Sequence, residues 1–243
     1  MENIIEIKDL TVIYPGRIIF ENLNLFFKKG SFTTILGANG IGKSTLIKVL
    51  SGYLNGNNYI MFEDTPIIKE NFSLIKDDVI SIIEGKRINY DIRVKDIVKS
   101  SLLIKINHLL NREINNLSDE EYYLIRLIEA IDKKPKLLIL DNILENIDFK
   151  YREIIIKFLL EINKKGTTII NSTNNVEESL LGNYIVLLNE SEPIYGPTGA
   201  ILDNEHLFEY CHIGLPFIID LSNRLKFYNL IDKNYILLLE YLR

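Results

Sequence analysis

The chain has 243 residues, 47% of them apolar and 25% charged, with a net charge of −5 and one cysteine. That is enough for one large domain, or one domain with an extension, around a sizeable core. The acidic balance gives no reason to expect a nucleic-acid partner, and a lone cysteine excludes an internal disulfide and fits a reducing compartment. No run of about 18 apolar residues is present to cross a membrane.

The opening stretch MENIIEIKDL is acidic and strand-like, unlike a signal peptide. Residues 2–13 alternate as a strand. LFFKKGSFTTILG predicts a turn at Gly30 and then a buried strand ending at Gly37. GKSTLIKVLSG predicts a helix closing near Gly52, and NNYIMFED and DDVISIIEG are further strand candidates. From about Arg87 to Ala130 the apolar spacing is mostly helical. KLLILD is a short continuous apolar run, the pattern of a strand buried on both faces. An amphipathic helix (YREIIIKFLLEINKKG), a strand (TTIINST), a helix from about Val176 and a closing hairpin (YIVLLNE, EPIYG) follow. Past Gly199 the tail turns helical, and LPFIIDLSNRLKFYNL carries an apolar face. Strands alternating with helices predict an α/β fold with a largely parallel sheet. No internal repeat or low-complexity segment interrupts it. Cys211, His108, His206 and His212 stand alone and read as packing residues.

GANGIGKST, residues 37–45, fits Gly-x-x-x-x-Gly-Lys-Ser/Thr through Gly37, Gly42, Lys43 and Ser44. It lies between a predicted strand and a predicted helix. Glycines let successive backbone N–H groups turn toward phosphate oxygens, and the helix adds its positive end. Lys43 then reaches the β- and γ-phosphates, and the Ser44 hydroxyl ligates Mg²⁺. Further landmarks follow in order: Tyr14 upstream, LSDEE at 117–121, Pro135, Asp141 ending the apolar run and Asp148 in ENID.

With these landmarks, residues 3–200 resemble the ATP-binding cassette proteins, a P-loop NTPase fold with a parallel core sheet, an antiparallel β subdomain and a short helical subdomain at about 86–130. The tail, 201–243, is similar to the C-terminal extension of the A components of energy-coupling-factor importers. The resemblance implies that Tyr14, Gly37, Asn39, Gly40, Gly42, Lys43, Ser44 and Thr45 bind ATP. It implies that Ser44 and Asp141 hold Mg²⁺, Asp141 through water. Ser118, Asp119 and Glu120 fall in the signature motif, which clasps the ATP of a head-to-tail partner. The implied setting is the cytoplasmic face of a membrane, with a second ATPase subunit, a membrane T component and a substrate-binding S component, transporting a vitamin or a metal ion.

The sequence departs from that family at the hydrolytic positions. Asn142 stands where a carboxylate would orient or deprotonate water, and an amide accepts no proton at neutral pH. Asn174 stands at the γ-phosphate-sensing histidine. A capping box between Asn175 and Glu178 is the structural reading of that segment. The glutamine position falls on Glu84 or Gly85, and the chain contains no glutamine. Glu84 remains able to ligate Mg²⁺, whereas the spacing takes Glu145 off the strand edge. In the signature, Asp119, Glu120 and Glu121 outweigh the half positive charge of a helix N-terminus. One such charge about 4 Å from a phosphate repels it by about 4 kcal/mol at an effective dielectric of 20. Ser118 and Glu121 equally form a capping box. The expectation is an ATP-binding subunit with weak hydrolysis in its own site. The alternatives are a non-catalytic nucleotide-binding scaffold and an active ATPase using substitute residues.

Overall fold

The computed structural model describes residues 2–54, 60–68, 70–88, 91–99 and 106–228. Strands β1 (Asn3–Tyr14) and β2 (Arg17–Lys28) form a long antiparallel hairpin, turned at Gly16 with φ +82°. Its register shifts several times, which is why β2 shows no clean alternation in sequence. The fully buried β3 (Phe32–Gly37) leads into helix α1 (Lys43–Leu50). Short strands β4 (Ile60–Phe62) and β5 (Thr65–Pro66) then extend the hairpin into a four-stranded antiparallel sheet, ordered β2-β1-β4-β5.

The second sheet is built from β3, β6 (Val79–Ile83), β7 (Leu137–Asp141), β8 (Thr168–Ser172), β9 (Tyr184–Leu188) and β10 (Ile194–Pro197). Its order is β10-β9-β3-β8-β7-β6, and every pair is parallel except the closing β9–β10 hairpin. Each residue of β7 is buried, and the side chains alternate between two cores. Leu137 and Ile139 join Leu46, Ile47, Ile5 and Phe27 in the layer between the sheets. Leu138 and Leu140 pack beneath α4 (Asp119–Lys133) and α5 (Phe149–Lys164), with Ile125, Leu127, Ile155 and Leu159. Burying each of these side chains contributes roughly 1.5–3 kcal/mol, which fixes the strand register and the site at its end.

The expected helical stretch from Arg87 to Ala130 is only partly helical. Among the described residues it holds α3 (Val94–Ile97), a 3-10 turn at Ile114–Asn116 and the start of α4; residues 100–105 lie outside the described residues. Asn107, Asn111, Asn115 and Asn116 interrupt the apolar spacing, and asparagine favours turns over helix interiors. A preceding short helix, α2 (Phe72–Ile75), is one turn long. In the tail, α6 (Thr198–Leu202), α7 (Glu205–Tyr210) and α8 (Phe217–Phe227) set Ile201, Leu202, Phe208, Cys211 and Ile219 against Leu36, Ile185 and Leu187 of the parallel sheet. Cys211 is thus a core residue. Of the expected apolar tail, 229–243 lies outside the described residues.

Candidate functional site

An open cavity of ≈ 240 Å³ sits at the carboxyl ends of β3, β7 and β8, where parallel α/β sheets bind ligands. It is lined by Asn39, Gly40, Gly42, Lys43, Ser44 and Thr45 from the glycine loop, Asp141 and Asn142 from the end of β7, Ser172, Thr173 and Asn174 from the end of β8, and by Ile19 and Glu84.

The loop is shaped by its glycines. Gly42 has φ +116°, and a Cβ there would come within 2.8 Å of both Ile19 Cγ2 and Phe20 Cζ. A Cβ on Gly37 would meet the Leu188 carbonyl at 2.9 Å. Lys43 is buried and donates to the carbonyls of Gly37 (2.6 Å) and Ala38 (3.0 Å), so its ammonium spans the concave side of the loop. Burial lowers the Lys43 pKa, opposed by the Asp141 charge. Arg17 at the β1–β2 turn donates to the Gly40 carbonyl (3.2 Å) and ties the hairpin to the loop. Tyr14, at the same turn, is partly exposed and stands outside the cavity lining, where the hairpin supplies Ile19 instead. Neither Ile19 nor Arg17 carries a sequence signal for this role.

Ser44 Oγ donates to Asp141 Oδ1 at 3.4 Å, which brings the two expected Mg²⁺ ligands together across α1 and β7. Burial raises the Asp141 pKa, and the Ser44 and Ser172 hydroxyls counter it. A carboxylate held in that state gains from a cation beside it, and a hydroxyl with a carboxylate is an oxygen donor set that suits Mg²⁺.

Between Glu84 and Gly85, the structure puts Glu84 in the cavity; the Gly85 N–H donates to the Tyr123 hydroxyl (2.7 Å). Asn142 donates its side-chain amide to Glu84 Oε2 (2.8 Å), and Asn146 donates to Glu84 Oε1 (3.1 Å) and to the Asn142 carbonyl (2.7 Å). Asn142 itself has φ +54°, a left-handed backbone that asparagine tolerates better than most residues. Asn174 is exposed at the rim of the cavity.

The capping box expected between Asn175 and Glu178 does not form. Asn175 Oδ1 accepts from the Glu177 N–H (3.0 Å) and opens a 3-10 turn at Val176–Leu181. Glu178 instead turns inward and accepts from Asn171 Nδ2 (2.8 Å) and Arg152 Nη2 (3.0 Å). The buried Asn171 amide and the half-buried Arg152 guanidinium outcompete one local backbone N–H, and position 178 therefore serves the support of β8.

The Ser118–Glu121 capping box is formed in both directions, with Ser118 Oγ accepting from the Glu121 N–H (3.3 Å) and Glu121 Oε2 from the Ser118 N–H (2.8 Å). This corrects the expected sum of three repelling carboxylates. Glu121 also pairs with Arg112 (2.7 Å) and Asp119 with Arg87 (3.2 Å). Arg87 in turn caps the carbonyls of Ile114 and Leu117. Ser118, Asp119 and Glu120 do not line this chain's own cavity.

A family model described as "ABC transporter" matches residues 20–145. The spermidine/putrescine import ATP-binding protein PotA of Borreliella afzelii is 34% identical over 214 residues, 78% of this chain and 61% of its own length. The energy-coupling factor transporter ATP-binding protein EcfA1 of Mycoplasma mobile is 28% identical over 247 residues, 91% of this chain and 90% of its own. Among solved structures, an ATP-binding subunit of an ABC transporter shares the fold at a TM-score of 0.74 and 18% identity, over 84% of this chain and 94% of that one. The cbiO1 protein of Clostridium perfringens does so at 0.68 and 22%, over 92% and 100%.

Proposed function

The chain belongs to the ABC transporter family, and from that premise we propose that it is the ATP-binding subunit of an importer of the energy-coupling-factor type. One observation carries the ATP-binding part: a glycine loop, a buried lysine and a Ser44–Asp141 pair converge on one cavity at the carboxyl ends of the parallel strands. Backbone N–H groups of residues 39–45 face the phosphates, Lys43 balances their charge, and Thr45 and Gly40 close the loop around them. Ser44 and Asp141 would hold Mg²⁺, which neutralises charge on the β- and γ-phosphates when bound. Tyr14 reaches the adenine only if the hairpin end closes over it, since it stands outside the present lining.

The energy-coupling-factor reading is supported by EcfA1 relatives aligned over 91% of this chain and by the apolar helices beyond residue 200. The chain pairs with a second ATPase subunit. The pair docks on a membrane T component, and an S component chooses the cargo, a vitamin or a metal ion. Among the described residues no helix is long and apolar enough to cross a membrane, so attachment at the cytoplasmic face goes through partners. With amides at 142 and 174, turnover in this chain's own site is slow, and transport relies on the composite dimer.

Purification of the native complex and identification of its subunits test the assignment. A second cassette subunit with a single polytopic membrane protein and a small membrane cargo-binding protein is the expected result. A pair of permease subunits of the polyamine type would favour the reading suggested by the PotA relatives. Recovery of the chain with no membrane protein would overturn both.

A further inference from the structure

Asp141 and Glu84 are the two carboxylates that line the cavity. Asp141 is committed to Ser44 and to the cation. Glu84 is held from two sides by the amides of Asn142 and Asn146, one on each carboxylate oxygen. An ionised carboxylate has about four acceptor positions, so two remain open. Asn142 donates one of its two amide hydrogens to Glu84, and its side-chain oxygen Oδ1 is buried without a partner. The two amides and the carboxylate therefore form one unit in which the carboxylate keeps free acceptor positions.

We propose that Glu84 and Asn142 have exchanged the carboxylate and the amide of the hydrolytic pair, so that Glu84 orients the attacking water and Asn142 positions Glu84. The proposal rests on the ATP-binding reading above. A glutamate or aspartate at 142 facing Glu84 would set two negative oxygens where a 2.8 Å hydrogen bond now stands. The left-handed backbone at 142 adds a preference for asparagine over glutamate. Asn146 bridges the two: its amide donates to Glu84 and to the Asn142 backbone carbonyl at once, which restrains the carboxylate at the cavity wall. Glu84 also donates its backbone N–H to the Asp141 carbonyl (3.2 Å), so its main chain moves with the cation site.

The test is a reciprocal exchange in the full chain, using Glu84→Gln, Asn142→Asp and the double variant. Thermal melting, Mg·ATP affinity by titration calorimetry and phosphate release are measured for each. Glu84→Gln keeps one acceptor for Asn142 and should fold, bind Mg·ATP within a few-fold of wild type, and lose about 10²-fold in phosphate release, the loss expected when a reacting water is misplaced. Asn142→Asp should melt about 3 °C lower, because it faces Glu84 with like charge. The double variant restores an amide–carboxylate bond in the opposite sense, so it should recover both melting temperature and rate. Three results overturn the proposal while leaving ATP binding intact: Glu84→Gln releasing phosphate at the wild-type rate, a double variant no better than Asn142→Asp, or wild type that binds Mg·ATP but releases no more phosphate than Lys43→Ala. Wild type that fails to bind Mg·ATP would overturn the ATP-binding reading itself, and this proposal with it.

Discussion

Replacing Lys43 with methionine separates binding from folding. The aliphatic stem is buried and methionine keeps its volume, so the packing of α1 is retained. What disappears is one positive charge in a cavity meant for a triphosphate. At about 4 Å and an effective dielectric of 20, that charge is worth about 4 kcal/mol, and the open side of the cavity brings it toward 3 kcal/mol. At 1.4 kcal/mol per decade the loss is about 10²- to 10³-fold in affinity. The folded state loses less. The carbonyls of Gly37 and Ala38 give up a donor, at about 1–3 kcal/mol if no water replaces it. Against that, the burial that depresses the Lys43 pKa is relieved. Titration calorimetry with Mg·ATP, run beside thermal melting, should show a large fall in affinity and a small shift in melting temperature. Wild-type affinity in Lys43→Met would refute the reasoning, and so would an affinity loss matched by gross unfolding.

Asp141→Asn should stabilise the nucleotide-free chain at pH 8 by about 2–4 °C for each kcal/mol of relieved burial, while abolishing the Mg²⁺ dependence of ATP binding. The sign follows from the raised Asp141 pKa: its contribution is fully present below the unfolded value near 3.9 and lost as pH rises through the folded one, so the gain should fade in melts at pH 4. Arg152→Met should destabilise more at pH 8 than at pH 5. Burial already raises the Glu178 pKa against Asn171 and Arg152, and without the arginine the carboxyl holds its proton further up the scale; equal losses at both pH values would reject this. In a reconstituted pair with an intact ATPase partner, Asp119→Gly with Glu120→Gly should raise the steady-state rate by about tenfold or less, because Glu121 is neutralised by Arg112 and stays in the cap. Asn142→Glu alone should gain nothing, since it meets Glu84 and a left-handed backbone; a large gain would show that position 142, and not Glu84, is where the water-orienting carboxylate belongs.

The parts of the fold that were legible in the sequence are those where local pattern and tertiary need coincide. KLLILD reads as a doubly buried strand because each residue of β7 does face a core, Leu137 and Ile139 on one side and Leu138 and Leu140 on the other. The closing hairpin and α5 follow the same logic. The hairpin strand β2 was not legible, because bulges shift its register and break the period of two. The segment after Arg87 misled for the opposite reason. Its isoleucines and leucines keep a helical spacing, but Ile106, Leu109 and Ile114 reach the core from turns, so burial alone produced the period.

At the site, the glycine loop was readable because backbone geometry demands glycine at fixed positions, and Gly37 and Gly42 have no room for a Cβ. Charge was readable only as composition. Counting carboxylates at 119–121 overstates their field, since the count carries no information on Arg87 and Arg112, which come from residues 32 and 9 positions away. The same blindness made Asn142 look like a simple loss. In the sequence, Glu84 and Asn142 are 58 residues apart and each departs from the family on its own. In three dimensions they share one hydrogen bond, and the carboxylate lacking at position 142, just past β7, is present at Glu84, just past β6, held by two amides. If Glu84 orients the water, degeneracy judged position by position overcounts the damage, because the contact between positions 84 and 142 supplies a carboxylate that neither position shows when read alone.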